Sequence, residues 1–481
     1  MNKKVISAAV SFACAIGFTH AAFSATLTEA VDQTIKTNPD ILIDANQRLS
    51  TDEAVKQAKG GYYPKVDLNL GYGREWSENI STQNRPGKDA TLWRGESGLT
   101  LSQMIYDGSG TTSEVNRQKS RQNSAAHKVM GTSEQIALKA IETYLDVLRR
   151  EELLKLAQEN LAAHDRTFSQ IKLRADSGIG RKADLEQAQA RLSLSQANVA
   201  SAEANLREAN IAYNKVIGSM PSNLTKPTAI DGIPASVDDA LKVGLDNHPI
   251  LRSALADIEA TRAQQGAAEA LMKPRVDLEL GTNFNHNLDG VQYKSNDWYA
   301  MLRLRYNLFH GGADKARISE ASVQTQAAIE TMHRTQRQVE ESLRLSWNSM
   351  ITAQDRIPKL QATVEAAERT RDAYTKQFSI GQRTLLDLLD SENELYTDRS
   401  NLVEAQYIDI FARYRLMADM GRLLETLGVA PREEAKIGEA TMGGYAKDVA
   451  KASNEPAPTA EPAPAAEPAA APAEEAAPAA Q

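Results

Sequence analysis

Tyr63-Pro64-Lys65-Val66-Asp67-Leu68-Asn69-Leu70-Gly71 and Lys273-Pro274-Arg275-Val276-Asp277-Leu278-Glu279-Leu280-Gly281 are nearly one phrase written twice, 210 residues apart. In both, apolar side chains alternate with polar ones, the period of a strand with one apolar face. Asn38-Pro39 and His248-Pro249 repeat at the same spacing. Farther on, Gly178 pairs with Gly381, Asp184 with Asp387 and Gly218 with Gly421, now 203 residues apart. The seven-residue difference is expected in the loop after the first strand of each copy. Two similar halves follow, each a strand pair leading into long helices and packed side by side.

Two more stretches alternate. Leu99, Leu101 and Ile105 interleave with Thr100, Ser102 and Met104; Trp298, Leu302, Leu304, Tyr306 and Leu308 interleave with Arg303, Arg305 and Asn307. A soluble sheet would show the same alternation. Length and aromatic placement favour lipid: the runs approach the ~9–11 residues of a tilted membrane strand, with Tyr62, Tyr63, Tyr72, Trp76, Trp93, Tyr106, Trp298 and Phe309 near their ends. Four strands cannot close a barrel, and an open edge in lipid leaves backbone groups unpaired. Two copies would give eight strands and a filled interior; three would give twelve, enough for a water-filled lumen. The polar inner faces favour three.

Between Gly110 and Asp176 there is no proline, and Gly131 is the one interior glycine. Such a helix spans roughly 100 Å at ~1.5 Å per residue. The matching stretch is Ala313–Ser379, with Pro358 inside it, where a kink is expected. The return helices carry a heptad: Leu185, Leu192, Val199, Leu206 and Tyr213 on one seam, Ala188, Ser195, Ala202, Ala209 and Val216 on the other. This is antiparallel coiled-coil packing. The expected fold is mainly α with a small β part. The first repeat covers 25–220, with strands near 64–76 and 93–107 and helices at 110–176 and 182–217. A linker at 221–235 follows. The second repeat covers 236–430, with strands near 274–285 and 297–309 and helices at 313–379 and 384–425.

The ends read differently. Lys3 and Lys4, the 14-residue apolar run Val5–Phe18 and Ala22-Phe23-Ser24 make a secretory signal peptide over 1–24. Cys14, the one cysteine, has Ser11 where a lipidation site wants an aliphatic residue, so no lipid anchor is expected. Residues 431–481 read as a disordered tail; its last 27 hold seven prolines and five glutamates. No later run reaches the ~20 apolar residues of a spanning helix. A net charge of −8 without basic clusters gives no sign of nucleic acid. The motifs H-E-x-x-H and G-x-S-x-G and phosphate-binding glycine loops are missing, so no catalysis and no cofactor are expected. The histidines show no metal-ligand spacing; His164 and His333 read as solvated helix residues.

The double repeat, the four strands, the paired long helices and the turn Gly381-Gln382-Arg383-Thr384-Leu385-Leu386-Asp387-Leu388-Leu389-Asp390 closely resemble the TolC-type outer-membrane efflux and secretion channels, over roughly residues 26–430. The resemblance implies a homotrimer with a twelve-strand barrel in outer-membrane lipid and a helical tunnel across the periplasm. It also implies a periplasmic adaptor (membrane-fusion) protein and an inner-membrane transporter, of ABC type for a secretion system. A pore-free coiled-coil scaffold would account for the helices but not for four strands at matched places. The exported cargo is expected to be a protein of adhesin or toxin class, with multidrug efflux as the alternative. The lack of a lipidation cysteine leans towards secretion, since many dedicated drug-efflux members are lipoproteins.

By the same resemblance the helix-tip turns form the periplasmic entrance, and adaptor hairpins pack on Gly178, Gly180, Arg181, Lys182 and Gly381. Asp387 and Asp390, three apart on one helix face, become the pore constriction; three copies make a ring of six carboxylates that could bind cations or repel anions. Thr384 and Asp387 also fit an N-cap pair, which is compatible with that role. Asp184 and Arg383 match positions of links that hold the entrance shut. Phe378 stands where the family has an aromatic hydroxyl, so one closing hydrogen bond is expected to be missing.

Overall fold

A computed structural model describes residues 26–227, 230 and 232–437. The signal peptide, Cys14 and the tail beyond 437 lie outside the described residues. Each half opens with two short helices that the sequence reading did not register: α1 (Leu27–Thr37) and α2 (Pro39–Lys59), then α5 (Val237–Asn247) and α6 (Pro249–Ala270). Thr26 and Glu29 cap α1 reciprocally, and Ser236 caps α5. The repeated prolines occupy the first turn of α2 and α6, where a missing N–H costs nothing.

Strands β1 (Lys65–Ser77), β2 (Ala90–Tyr106), β3 (Arg275–His286) and β4 (Lys294–Arg305) form one antiparallel sheet in chain order, so β1 and β4 are its edges. β4 begins and ends earlier than the expected 297–309. A bond from Asn287 N to Tyr293 O closes its hairpin early, and no strand flanks 306–309. The seven-residue difference between halves falls in the loop after the first strand: Ser77 and Ala90 correspond to Asn287 and Tyr293, with residues 78–89 between them in the first half and only 288–292 in the second.

The two faces of the sheet differ as the alternation requires. Leu70 (73 % exposed) and Tyr72 (79 %) stand on the apolar face. Tyr72 stacks on Trp93 there, and Phe284 meets Trp298 edge-on. The opposite face is ionic: Asp277 takes Arg275 and Arg305, and Glu279 takes Arg303 and Arg305, at 2.8–3.2 Å. Burying such charges against lipid would be expensive, so the ionic face is the one that suits water.

Helices α3 (Gly110–Asp176) and α7 (Ala313–Ser379), 67 residues each, pair with the return helices α4 (Lys182–Ile217) and α8 (Leu385–Asp419). The heptad seam is where α4 is buried, at Ala188, Leu192, Ser195, Ala209 and Tyr213. α7 runs through Pro358 without a break. α8 stops short of the expected 425: Gly421 takes φ +68° with its α-carbon side pressed against Pro249 and Asn247, and the chain resumes as α9 (Leu423–Leu427). The main core gathers where α1 meets the middle of the long helices, around Val31, Ile141, Tyr144, Leu343 and Leu416. A second core closes the tips around Ile171, Phe378, Leu385 and Leu389.

Two expectations about single residues need correction. His164 is buried, not solvated; burial, with Arg191 close by, holds its imidazole below the ordinary value. The start of the tail at 431 is also too early: Arg432 pairs with Glu434 and reaches the Lys36 carbonyl, and the Glu433–Ala435 turn packs on α2 and α3.

Candidate functional site: the helix-tip turns

Both tips reverse the chain between long helices with a glycine in the left-handed region, Gly178 at φ +75° and Gly381 at φ +78°. Gly180 has another reason to lack a side chain. A Cβ there would come within 2.8 Å of the Ala175 backbone nitrogen, because Gly180 N donates to Arg174 O. Arg181 and Lys182 follow, exposed, at the start of α4. Two large apolar side chains crown the tips with nothing over them, Ile179 (85 % exposed) and Ile380 (68 %).

Asp387 is a capping residue. Its backbone N–H donates to Thr384 Oγ1 at 3.2 Å, and its carboxylate accepts from the Thr384 hydroxyl at 2.9 Å. Arg383 Nη1 stands 3.6 Å from the same carboxylate. The Thr384 hydroxyl first, then its backbone N–H and Arg383, hold the carboxyl below the usual range. Asp390, one turn on, faces a different partner: Arg191 Nη2 of α4, at 2.8 Å.

Arg383 and Asp184 do not meet within one chain. Arg383 donates to Gln377 Oε1 at 3.0 Å and lies over the Tyr374 ring at 4.2 Å. Among the described residues no hydrogen bond or ion pair reaches the half-buried Asp184 carboxylate. Phe378 is buried in the tip core, with the Arg174 guanidinium 5.1 Å above its ring.

Several tip residues escaped the sequence reading. Arg191 is one. Behind it, Arg371 pairs with Glu392 at 3.3 Å, and Arg399 holds Glu368 at 2.5 Å and Glu159 at 3.4 Å. Together these tie α3, α7 and α8 across the wall. A quarter of the chain is charged, so no such pair stands out by spacing. The repeat does offer one signal: Gln187 of the first half stands where the second has Asp390, so only one half presents a carboxylate there.

The family model described as outer membrane efflux protein matches residues 30–219 and 241–422. The chain is 25 % identical over 422 residues to the outer membrane efflux protein BepC of Brucella suis, covering 88 % of this chain and 91 % of that one. It is 23 % identical to the proteases secretion protein PrtF of Dickeya chrysanthemi, over 83 % and 88 % of the two chains. Its fold superposes on the CmeC outer membrane channel of Campylobacter jejuni with a TM-score of 0.73, at 16 % identity, over 89 % of each chain. With the doubled strand-and-helix layout and the two-faced sheet, these matches make the chain a member of the outer membrane efflux protein family, a channel protein of the outer membrane.

Proposed function

We propose that this chain is the outer-membrane channel of a tripartite type I secretion system, a periplasm-spanning exit duct for an exported protein of adhesin or toxin class. The observation that carries the pore reading is the sheet: four strands, one lipid-compatible face, one ionic face and two open edges. Three copies close it into twelve strands around an ionic lumen. The long helices then form a tunnel of roughly 100 Å. A periplasmic adaptor packs on the tips at Gly178, Gly180, Arg181, Lys182 and Gly381, where exposed Ile179 and Ile380 offer apolar grip. An ABC-type inner-membrane transporter supplies the energy.

At the tips, Asp387 and Asp390 line the constriction. Asp387 is held ionised by its cap. Asp390 is tied to α4 through Arg191, so opening the entrance breaks that pair. Asp184 awaits a partner from a neighbouring copy, with Arg383 the complementary cation. Phe378 closes by packing, not by a hydroxyl.

The secretion reading is supported by a relative named for protease secretion that aligns along 88 % of its own length. The efflux reading is supported by the match to a relative named for efflux, along 91 % of that protein's length. A deletion strain separates them. Loss of one large protein from the medium or cell surface, with drug tolerance unchanged, supports secretion. Broad drug hypersensitivity with an intact secretome overturns it in favour of efflux.

A further inference from the structure

The corner between α5 and α6 closes a small cavity against α3 and the start of α9. Its volume is about 360 Å³, at the low end of the ~300–1,000 Å³ of ligand pockets. His127 and Met130 of α3, Asn247 and Arg252 of the corner, and Arg422 and Glu425 beside α9 line it.

The cavity gathers donors without acceptors. Arg252 directs Nε and Nη2 at the Asp246 carbonyl and at Asn247 Oδ1. Arg422 directs Nε and Nη2 at the Glu425 carboxylate, at 2.9 and 3.3 Å. Among the described residues neither Nη1 group makes a hydrogen bond. His127 is 7 % exposed, and its ring also reaches no partner among the described residues. Burial, then Arg252, holds the imidazole down at about 4, so near pH 7 it is neutral and offers one N–H. A buried polar group without a protein partner calls for an explanation. Glu425 is the one carboxylate on the lining and Arg422 already answers it, so Arg252 leaves one positive charge in excess.

The fold alone does not ask for these side chains. The other repeat keeps the corner's Pro249 and Gly421 as Pro39 and Gly218. At the same spacings of 210 and 203 residues, Arg252 becomes Leu42, His127 becomes Glu330 and Arg422 becomes Ser219. The corner is built twice in the sequence, and its three donors once.

We propose that this cavity binds a phosphate group, whose oxygens accept from Arg252 Nη1, Arg422 Nη1 and the His127 ring. A phosphate group presents three acceptor oxygens to donors arriving from α3, α6 and α9, where a carboxylate presents two. Guanidinium donors suit it in charge as well as in geometry. The bound group bridges three elements where α8 ends, and it holds α9 on α3 beside the bonds from the Leu423 and Leu424 N–H groups to Glu134. The site is independent of which cargo the channel exports.

Equilibrium dialysis of the purified full-length channel against radiolabelled inorganic phosphate, at fixed ionic strength in chloride, tests the site. Saturable binding of one phosphate per chain is expected, and uptake that rises without saturating overturns the proposal. Arg252→Gln should weaken binding about tenfold or more, the effect of one hydrogen bond to a charged group. Unaltered affinity in that variant overturns the site. Glu425→Gln removes the competing carboxylate and frees Arg422, so it should tighten binding several-fold. This gain does not depend on Arg252→Gln folding, and equal or weaker binding in Glu425→Gln overturns the part given to Arg422. Acetate that displaces the label as well as unlabelled phosphate does overturns the phosphate class. Glycerol phosphate that does so makes the ligand a phosphate ester, whereas displacement by inorganic phosphate alone makes it the free ion.

Discussion

Arg191 Nη2 donates to Asp390 Oδ1 over 2.8 Å and so joins the return helix of the first repeat to that of the second, close to the tip turns. The pair neutralises one of the two tip carboxylates, while Asp387 keeps its charge through its own cap. Replacing both by alanine is expected to raise single-channel conductance in planar bilayers and weaken block by divalent cations several-fold. Arg191→Gln should do the opposite to block, because it frees Asp390. Since the Asp387 carboxyl sits below the usual range, its share of the block should survive acidification through that range and fade only below it. Block that ignores all three substitutions would remove these carboxylates from the pore.

Phe378 is the aromatic anchor of the tip core. Phe378→Ala removes a buried ring, a change that costs about 3–5 kcal/mol in a well-packed site. The tip should loosen locally while the distant mid-helix core holds. Limited proteolysis should therefore cut first within Ser177–Arg181 or Ile380–Arg383, with Phe378→Leu showing a smaller effect.

Gly71 and Gly281 are repeat counterparts in unlike surroundings. A Cβ at Gly281 would fall 2.2 Å from the Tyr299 ring, whereas one at Gly71 meets Glu96 no closer than 3.7 Å. Gly281→Ala should cost about 1–3 kcal/mol, the usual range for overpacking, and Gly71→Ala little. Heat-induced mobility shifts on gels give the comparison, and pairing Gly281→Ala with Tyr299→Ala should recover most of the loss.

Glu134 and His127, two turns apart on α3, pull the pH profile in opposite directions. Burial pushes the Glu134 carboxyl up to about 7, although Leu423 and Leu424 N–H groups donate to it. Its contribution is full below the unfolded value and is lost as pH rises through 7. Burial, aided by Arg252, holds the His127 imidazole down at about 4. Its contribution is full above the unfolded value and is lost as pH falls towards 4. Each is worth on the order of 3 kcal/mol. Melting temperatures should thus be nearly level between pH 4.5 and 6.5. Glu134→Gln should leave a curve that rises with pH over that span, and His127→Gln one that falls from pH 4.5 to 7.

The long helices and the strands were legible because both signals are periodic and long: a stretch with no proline, and apolar residues at every second place. The short helices α1, α2, α5 and α6 were not. Their signals are single residues, such as the Thr26 and Ser236 caps and the prolines at 39 and 249, which set no period. Thr384 and Asp387 were recognisable as a cap because the bond is local. Arg191 with Asp390 was not, since those residues are 199 positions apart and helix register decides whether they meet. His164 deceived for a related reason: a histidine among charged residues reads as exposed until a second helix covers it.

The open edges of the sheet bear on the life of a newly made chain. A lone copy shows unpaired backbone along β1 and β4, a ready template for stray strand addition. Joining a second copy hides one edge of each but leaves two still bare, so no incomplete ring is safer at its ends than a single chain. Relief comes only with closure. Aggregation therefore competes with assembly at every step before the last.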